Sequence, residues 1–427
     1  MTGVDRADGA AGIVEYDVVV VGGGPAGIAA AARAAESGAR VVLVDQGMRP
    51  GGQVWRHRER STLPRLARSW LDRLDRSGAK CMQSATVSDA TGDGTVSIAH
   101  EGGRTTVRAS AIVIATGARE LFIPYPGWTL PGVMGIGGGQ ALVKGGMHVR
   151  GKRVIVAGSG PLILPVAAVM AHAGARLVTV VEQAPVSAVA ALARTLWRHP
   201  SKLADAARYR SSFARTSYRA GCWVARADGD ERVQRVTLTN GRRTWSEECD
   251  ILCCSYGLVP NVDLALLLGC AVDEGRVVVD PSQRTSVPGI FAAGEPTGIG
   301  GELAALTEGE IAGLCAAGRS ASVDRSLATA RLRWRAFAER LSLAFAPRAE
   351  LRDLATPDTI ICRCEDVPLS RLDPLWSVRQ AKLYTRIGMG PCQGGVCGPA
   401  CGFLFSWPHG RVRPPLGAPE VGAVGRK

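Results

Sequence analysis

The chain has 427 residues, a length that predicts about two or three domains. Hydrophobic residues make up 46% of it and charged residues 21%, proportions that exclude an intrinsically disordered protein. The net charge of +13 does not indicate a nucleic-acid partner, because the arginines are spread along the whole chain instead of forming one basic patch.

The first 17 residues do not resemble a secretory signal, because no basic flank is followed by an apolar run. No stretch of about eighteen apolar residues occurs, so we expect no membrane span. Twelve cysteines in a chain without a signal favour metal, cluster or buried thiols over disulfides. We therefore expect a cytoplasmic protein.

Residues 16–45 predict a strand, a glycine turn, a helix and a second strand. The turn reads Gly22-Gly23-Gly24-Pro25-Ala26-Gly27, the G-x-G-x-x-G pattern of dinucleotide-binding folds. Gly22 makes the tight turn, Gly24 lets the backbone approach a pyrophosphate, and Gly27 allows close packing of the helix. Asp45 ends the second strand, where a carboxylate would accept hydrogen bonds from ribose hydroxyls.

Three further segments accompany this unit: RPGGQ at 49–53, Ala115-Thr116-Gly117 and Gly294-Glu295. Their order resembles the flavoproteins with two dinucleotide-binding domains, over residues 16 to about 320. The resemblance implies FAD, although the family usually has aspartate where this chain has Glu295, a carboxylate that would bind the ribityl hydroxyls. The FAD contacts expected from the motif and the resemblance are Gly22, Gly24, Pro25, Ala26, Gly27, Asp45, Gln46, Gly52, Gln53, Ala115, Thr116, Gly117, Gly294 and Glu295.

A similar unit recurs from Lys152, with Gly158 and Gly160 in its turn and Glu182 at the end of the following strand. Ile163 stands where the third glycine of the motif would allow close helix packing. This unit predicts a second nucleotide fold, and three interpretations stay open: an NAD site, a site for an adenine nucleotide such as ATP, or a scaffold without ligand.

Cys253 and Cys254 lie within the apolar run ILCCSYGLV, which predicts a buried strand. Their side chains would point to opposite faces of that strand. A redox-active disulfide would need two cysteines a few residues apart beside the flavin, and the sequence has no such pair there.

We expect an α/β protein with two Rossmann-like dinucleotide-binding domains, the second inserted in the first, and a small C-terminal cysteine-rich [2Fe–2S] domain. The expected boundaries are 14–135 and 285–320 for the FAD-binding domain, 136–284 for the inserted domain, 321–356 for a helical connector and 357–427 for the cysteine-rich domain.

Cys362, Cys364, Cys392 and Cys397 form a C-x-C pair, a gap of 27 residues and a C-x-x-x-x-C pair. Four thiolates match the demand of a [2Fe–2S] cluster. Structural zinc also takes four cysteines, but it favours C-x-x-C pairs, so the spacing favours the cluster. Cys401 is an alternative ligand.

The segments ICRCEDV and LYTRIGMGPCQGGVC resemble the bacterioferritin-associated-ferredoxin type of [2Fe–2S] domain. That domain ends certain flavoprotein subunits, which occur in opine oxidases (the A subunit), in hydrogen cyanide synthase (the B subunit) and in proline, hydroxyproline and sarcosine dehydrogenases (the α subunits). GVMGIGGGQALVKGG, GKRVIVAGSGPLILPVA and GIGGELAALTEGEIAG resemble the same family. The resemblance implies a heteromer in which a second flavoprotein subunit oxidises the substrate.

Three functions remain open from the sequence. The first is an FAD- and [2Fe–2S]-containing electron-transfer subunit of a dehydrogenase or oxidase that acts on C–N bonds of amino acids, opines or related amines. The second is a free-standing NADH-dependent flavoprotein reductase. The third is a non-enzymatic assembly or regulatory subunit. No catalytic residue is predicted, because none of the six histidines lies in a recognisable motif.

Overall fold

A computed structural model describes residues 13–408, 410 and 412–416. Most of the N-terminal segment considered for a secretory signal, and the last eleven positions of the expected cysteine-rich domain, lie outside this range. No helix in the described ranges is both long enough and apolar enough to cross a membrane.

The first third of the chain forms strands and helices in this order: β1 (Val14–Val21), α1 (Pro25–Glu36), β2 (Val41–Val44), α2 (Arg65–Arg76), β3 (Lys80–Met82), β4 (Ala85–Ala90), β5 (Thr95–His100), β6 (Gly103–Ile114) and β7 (Ala118–Glu120). The middle of the chain continues with β8 (Val133–Met134), α3 (Ile136–Lys144), β9 (Arg153–Gly158), α4 (Ile163–His172), β10 (Arg176–Glu182), α5 (Val186–Ala193), α6 (Pro200–Ser211), β11 (Ser217–Ala220), β12 (Trp223–Asp228), β13 (Arg235–Thr239), β14 (Thr244–Glu248), β15 (Ile251–Ser255), β16 (Leu258–Pro260), α7 (Asp263–Leu267), β17 (Val272–Asp273) and β18 (Arg276–Val277).

The remainder returns to the first sheet and then forms the C-terminal region: β19 (Ile290–Ala292), α8 (Glu302–Ala316), α9 (Arg325–Ala344), β20 (Ile360–Cys362), β21 (Val367–Pro368), α10 (Val378–Thr385) and α11 (Cys397–Phe405).

The first sheet has the order β3-β2-β1-β6-β5-β4, with β19 also paired to β6. The long strand β6 serves two partners, because residues 103–108 pair antiparallel with β5 and residues 112–114 pair parallel with β19. β1 is buried in its second half, as a parallel strand covered on both faces must be. Helix α1 packs against α8, where a Cβ at Gly309 or Gly313 would overlap the α1 backbone. These two glycines let the helices approach closely beside the first glycine turn.

The second sheet is parallel and has the order β11-β10-β9-β15-β8. Its strands fall between β6 and β19 in the chain, so the second nucleotide fold is inserted in the first, as predicted. β8 already belongs to this sheet at Val133. Cys253 and Cys254 lie in β15, buried in different core clusters on its two faces, which confirms the predicted buried strand. The antiparallel pair β7–β16 joins the two folds.

The C-terminal region packs against the second fold. The Trp128 indole Nε1 donates to the Ile360 carbonyl at 2.6 Å, and the Arg352 Nε donates to the Phe403 carbonyl at 3.0 Å. Helix α10 begins with a capping box, in which the Ser377 hydroxyl and the Gln380 side chain exchange hydrogen bonds with each other's backbone N–H groups. The cysteine-rich segments are therefore held on a rigid base instead of hanging from a linker.

Candidate functional site

The turn between β1 and α1 needs its glycines for different reasons. Gly22 has a φ of +109°, and a Cβ there would overlap the Ala115 carbonyl oxygen on the neighbouring strand end. A Cβ at Gly27 would overlap the Gly22 carbonyl oxygen. At Gly24, by contrast, no described atom lies within 4 Å of the position a Cβ would take. Gly22 and Gly27 therefore build the turn, and Gly24 leaves space open at the N-terminus of α1, where a phosphate would sit.

Asp45 ties the end of β2 to this turn. Its Oδ1 accepts from the Gly47 N–H at 2.6 Å, and its Oδ2 accepts from the Gly23 N–H. A carboxylate has about four acceptor positions, so these two bonds leave capacity for the ribose hydroxyls expected there. Gln46 and Gln53, which were also expected to contact the cofactor, are exposed.

The second glycine turn folds back onto the first. The Gly51 N–H donates to the Gly23 carbonyl at 2.7 Å, and a Cβ at Gly52 would lie 2.8 Å from the Gly24 Cα. The structure thus brings together two turns whose relation the sequence only suggested. Pro25 and Ala26 follow in the buried first turn of α1.

Ala115, Thr116 and Gly117 continue β6 beside Gly22 and are held by a residue from the other side of the second fold. The Thr116 hydroxyl donates to the Asn261 carbonyl at 2.7 Å, and the Asn261 Nδ2 donates to the Thr116 carbonyl at 2.9 Å. The Asn261 N–H also donates to the Gly117 carbonyl at 2.9 Å. Asn261 follows β16, and nothing in its sequence context signalled this contact.

Gly294 and Glu295 complete the first site after β19. A Cβ at Gly294 would lie 2.8 Å from the Ala26 Cβ, so this turn packs directly on the first turn of α1. Glu295 Oε1 accepts from the Gly301 N–H at 3.1 Å, whereas its Oε2 is buried without a hydrogen-bond partner among the described residues. Burial raises the pKa of Glu295 to about 7, and the nearby Glu308 carboxylate adds to the rise. An orphaned buried acceptor in this position fits a cofactor that brings hydroxyl donors.

A buried ion pair that the sequence did not reveal supports this turn. The Glu308 Oε2, on α8, accepts from the Gly294 N–H and from the Thr297 hydroxyl, each at 2.9 Å. The Arg335 guanidinium, on α9, lies 2.7 Å from Glu308 Oε1 and donates to the Thr297 carbonyl at 2.7 Å. The expected helical connector therefore contributes a side chain to the first site.

The second glycine turn sequence, between β9 and α4, is arranged differently. Glu182 is fully buried, and its two oxygens accept from the Gly160 and Ala184 N–H groups, each at 2.8 Å. Burial raises the pKa of Glu182 to about 7, against the opposing effect of these backbone bonds. A Cβ at Gly158, whose φ is +141°, would overlap the Ser255 carbonyl oxygen. Both carboxylate oxygens expected to bind a ribose thus already serve the chain's own backbone.

The cysteines of the C-terminal region meet at one cavity of about 250 Å³. They lie on its wall as two pairs, with the Cys364 and Cys392 sulfurs 3.5 Å apart and Cys362 hydrogen-bonded to Cys397. That bond lowers the pKa of Cys362 to about 5 and raises the pKa of Cys397. Cys401 is buried on α11 and does not line this cavity.

The rest of the cavity wall belongs to the second fold, and it includes Trp128, Met134 and Tyr256. Within the described ranges, no three His, Cys, Asp or Glu side chains converge closely enough to hold a single metal ion. The thiols thus surround a space in two pairs instead of pointing at one centre.

Residues 16–313 match the family model of the pyridine nucleotide-disulphide oxidoreductases. The chain belongs to this family. It is therefore an FAD-dependent oxidoreductase built on dinucleotide-binding folds, as the sequence predicted.

Similar proteins match this pyridine nucleotide-disulphide oxidoreductase along most of its length. The A subunit of opine oxidase from Agrobacterium tumefaciens (strain Ach5) is 31% identical over 424 residues, which cover 90% of this chain and 84% of the relative. Hydrogen cyanide synthase subunit HcnB of Pseudomonas aeruginosa is 33% identical over 425 residues, which cover 89% and 90%. The resemblance inferred from the sequence motifs is confirmed.

Two solved structures share the fold. L-proline dehydrogenase from P. horikoshii superposes with a TM-score of 0.70 at 21% identity and covers 97% of this chain and 80% of its own. Thioredoxin reductase from T. acidophilum gives a TM-score of 0.56 at 24% identity and covers 72% and 99%. The first match extends over the C-terminal region of this flavoprotein.

The raised pKa of Glu295 predicts how pH affects the FAD-free flavoprotein. Between the ordinary glutamate pKa and about 7, the folded chain keeps a proton that the unfolded chain releases, so stability falls as pH rises through this window. Glu295→Gln imitates the protonated carboxyl and should remove its part of the fall. We expect a gain on the order of 1–3 kcal/mol in unfolding free energy at about pH 8 and little change at about pH 5.

Thermal unfolding of the FAD-free protein across this pH range measures the effect. The exposed Glu101→Gln serves as the matched control and should follow the wild type at every pH. Equal curves for Glu295→Gln and the wild type would show that Glu295 ionises normally.

Proposed function

We propose that this chain is the FAD- and [2Fe–2S]-containing electron-transfer subunit of a heteromeric dehydrogenase or oxidase that acts on C–N bonds of amino acids, opines or related amines. The observation that carries the proposal is the cavity on which Cys362, Cys364, Cys392 and Cys397 meet. It lies against a fold that otherwise matches flavoprotein oxidoreductases. Two redox groups in one chain suit a protein that passes electrons on.

The residues that would hold FAD surround the N-terminus of α1. Gly24 leaves room for the pyrophosphate, Asp45 has free acceptor positions for ribose, and the orphaned Oε2 of Glu295 would accept from the ribityl chain. Glu308 and Arg335 act as positioning residues, because they hold the turn that carries Glu295. When bound, FAD would supply the ability to accept and release electrons one or two at a time.

The residues that would hold the cluster are the two cysteine pairs. A [2Fe–2S] cluster is bound by four thiolates, and two per iron suits the pairs Cys364–Cys392 and Cys362–Cys397. Tetrahedral zinc would instead need the four sulfurs around one point, an arrangement that the described residues lack. The glycines on both sides of Cys392 and Cys397 leave backbone N–H groups free to approach sulfur.

The names of the relatives support a partner. The matched chains of opine oxidase and hydrogen cyanide synthase are both named as subunits. In this protein, a second flavoprotein subunit would oxidise the substrate, and electrons from the C–N bond would pass through this chain to an acceptor.

Purification of the tagged chain from its native organism tests this function. We expect a second flavoprotein to copurify, and the complex to reduce an artificial electron acceptor when an opine or amino acid is supplied. The isolated chain should show no such activity. Oxidation of these amines by the isolated chain, or rapid anaerobic bleaching of its flavin by NADH, would contradict the proposal.

A further inference from the structure

Residues 345–348 follow α9 and run across the glycine turn of the second fold; we call them the strap. The Ser159 hydroxyl, in that turn, donates to the Phe345 carbonyl at 2.8 Å. The Gln183 Nε2, just after β10, donates to the Ala346 carbonyl at 3.0 Å. The Arg348 N–H donates back to the Gln183 Oε1 at 3.2 Å. The strap thus bonds to both the turn and the strand end that define a nucleotide site.

These contacts use the polar capacity of the site. Gln183 is fully buried and Ser159 is 3% exposed. The Gln183 Nε2 also donates to the Ser159 hydroxyl at 2.8 Å, so both ends of the amide are satisfied. Glu182, the preceding residue, spends its two oxygens on the backbone N–H groups of Gly160 and Ala184. No acceptor of this group is left waiting for a ligand.

The strap is anchored on both sides. The Arg348 guanidinium stacks on the Trp223 ring at 4.6 Å and pairs with Glu350 at 2.6 Å. Leu351, three residues further on, is fully buried in the core of the second fold. On the other side, Arg335 of α9 is fixed by Glu308 in the flavin region.

In dinucleotide-binding folds, the pyrophosphate lies over the glycine turn and the adenosine ribose meets the acid at the end of the second strand. The strap crosses between these two places in this chain. We propose that the strap occupies the nucleotide path, so that the second fold binds the chain's own backbone in place of NAD or ATP.

Two consequences follow for the molecule. NADH cannot serve as an electron donor through this fold, and the fold acts as the base on which the C-terminal region is mounted. The inference goes beyond the electron-transfer function and is independent of it, because its readouts are nucleotide binding and amide exchange, whereas the function is judged by flavin, iron and partner content.

The test combines titration with hydrogen exchange on the purified holoprotein. We expect wild-type protein to bind neither NADH nor ATP with a dissociation constant below about 1 mM. Amides in a peptide covering residues 345–351 should be protected. Gln183→Ala removes the amide that bridges the turn and the strap, and exchange in this peptide should accelerate about tenfold or more.

Gln234→Ala is the matched control, because Gln234 is exposed in the same fold. Its peptide should exchange as in the wild type. Binding of NADH or ATP by the wild type would overturn the proposal. So would free exchange of the strap in the wild type, or equal exchange in Gln183→Ala and the control.

Discussion

Replacing Cys392 with serine should remove the iron–sulfur absorbance of the purified protein and leave FAD bound. Cys392 lies on the cluster cavity, 3.5 Å from Cys364, and a serine there removes one of the four thiolates. The FAD residues surround the first sheet, in a separate part of the molecule. We expect iron content to fall from about two per chain to near zero, with flavin unchanged.

The control variant is Cys401→Ala, which tests the alternative ligand. Cys401 is buried near the cluster region but does not line the cavity, so this variant should keep its iron. Iron loss in Cys401→Ala with retention in Cys392→Ser would exchange the two ligand assignments. Loss of both FAD and iron in Cys392→Ser would show that the C-terminal region is not independent of the flavin fold.

Replacing Gly24 with alanine should give a folded protein that has lost its FAD. No described atom would meet the added Cβ, so the chain can fold around it. The methyl group would instead enter the open space at the N-terminus of α1, where the pyrophosphate would approach. Overpacking of this kind costs about 1–3 kcal/mol, so we expect FAD affinity to fall by about 10- to 100-fold.

Two companion variants separate binding from folding. Gly27→Ala should prevent correct folding, because its Cβ would overlap the Gly22 carbonyl oxygen. Gly92→Ala places the same methyl group in open space on a distant turn and should leave FAD binding intact. Circular dichroism and fluorescence titration with FAD distinguish the three variants. Wild-type affinity in Gly24→Ala would mean that FAD does not lie at this turn.

Local patterns were enough to predict the two nucleotide folds. The strand, glycine turn and helix from Tyr16 to Glu36 follow from neighbouring residues alone, because β-branched residues and glycines have strong local preferences. The buried strand with Cys253 and Cys254 was predictable for the same reason. The order of these elements along the chain then predicted that one fold is inserted in the other.

The parts that could not be predicted all join distant segments. Asn261 holds the turn at Thr116, and Arg335 pairs with Glu308 in a turn formed 40 residues earlier, at Glu295. The strap reaches Ser159 and Gln183 from more than 160 residues away. No local pattern marks such partners, since their roles arise only from the way the elements pack.

The measurement that most directly tests the account is the cofactor content of the purified chain. Chemical analysis should find about two irons, two acid-labile sulfides and one FAD per chain. The reduced protein should also show the electron paramagnetic resonance signal of a [2Fe–2S] cluster. One zinc per chain without sulfide, or a metal-free protein that still binds FAD, would contradict the assignment of Cys362, Cys364, Cys392 and Cys397 as cluster ligands.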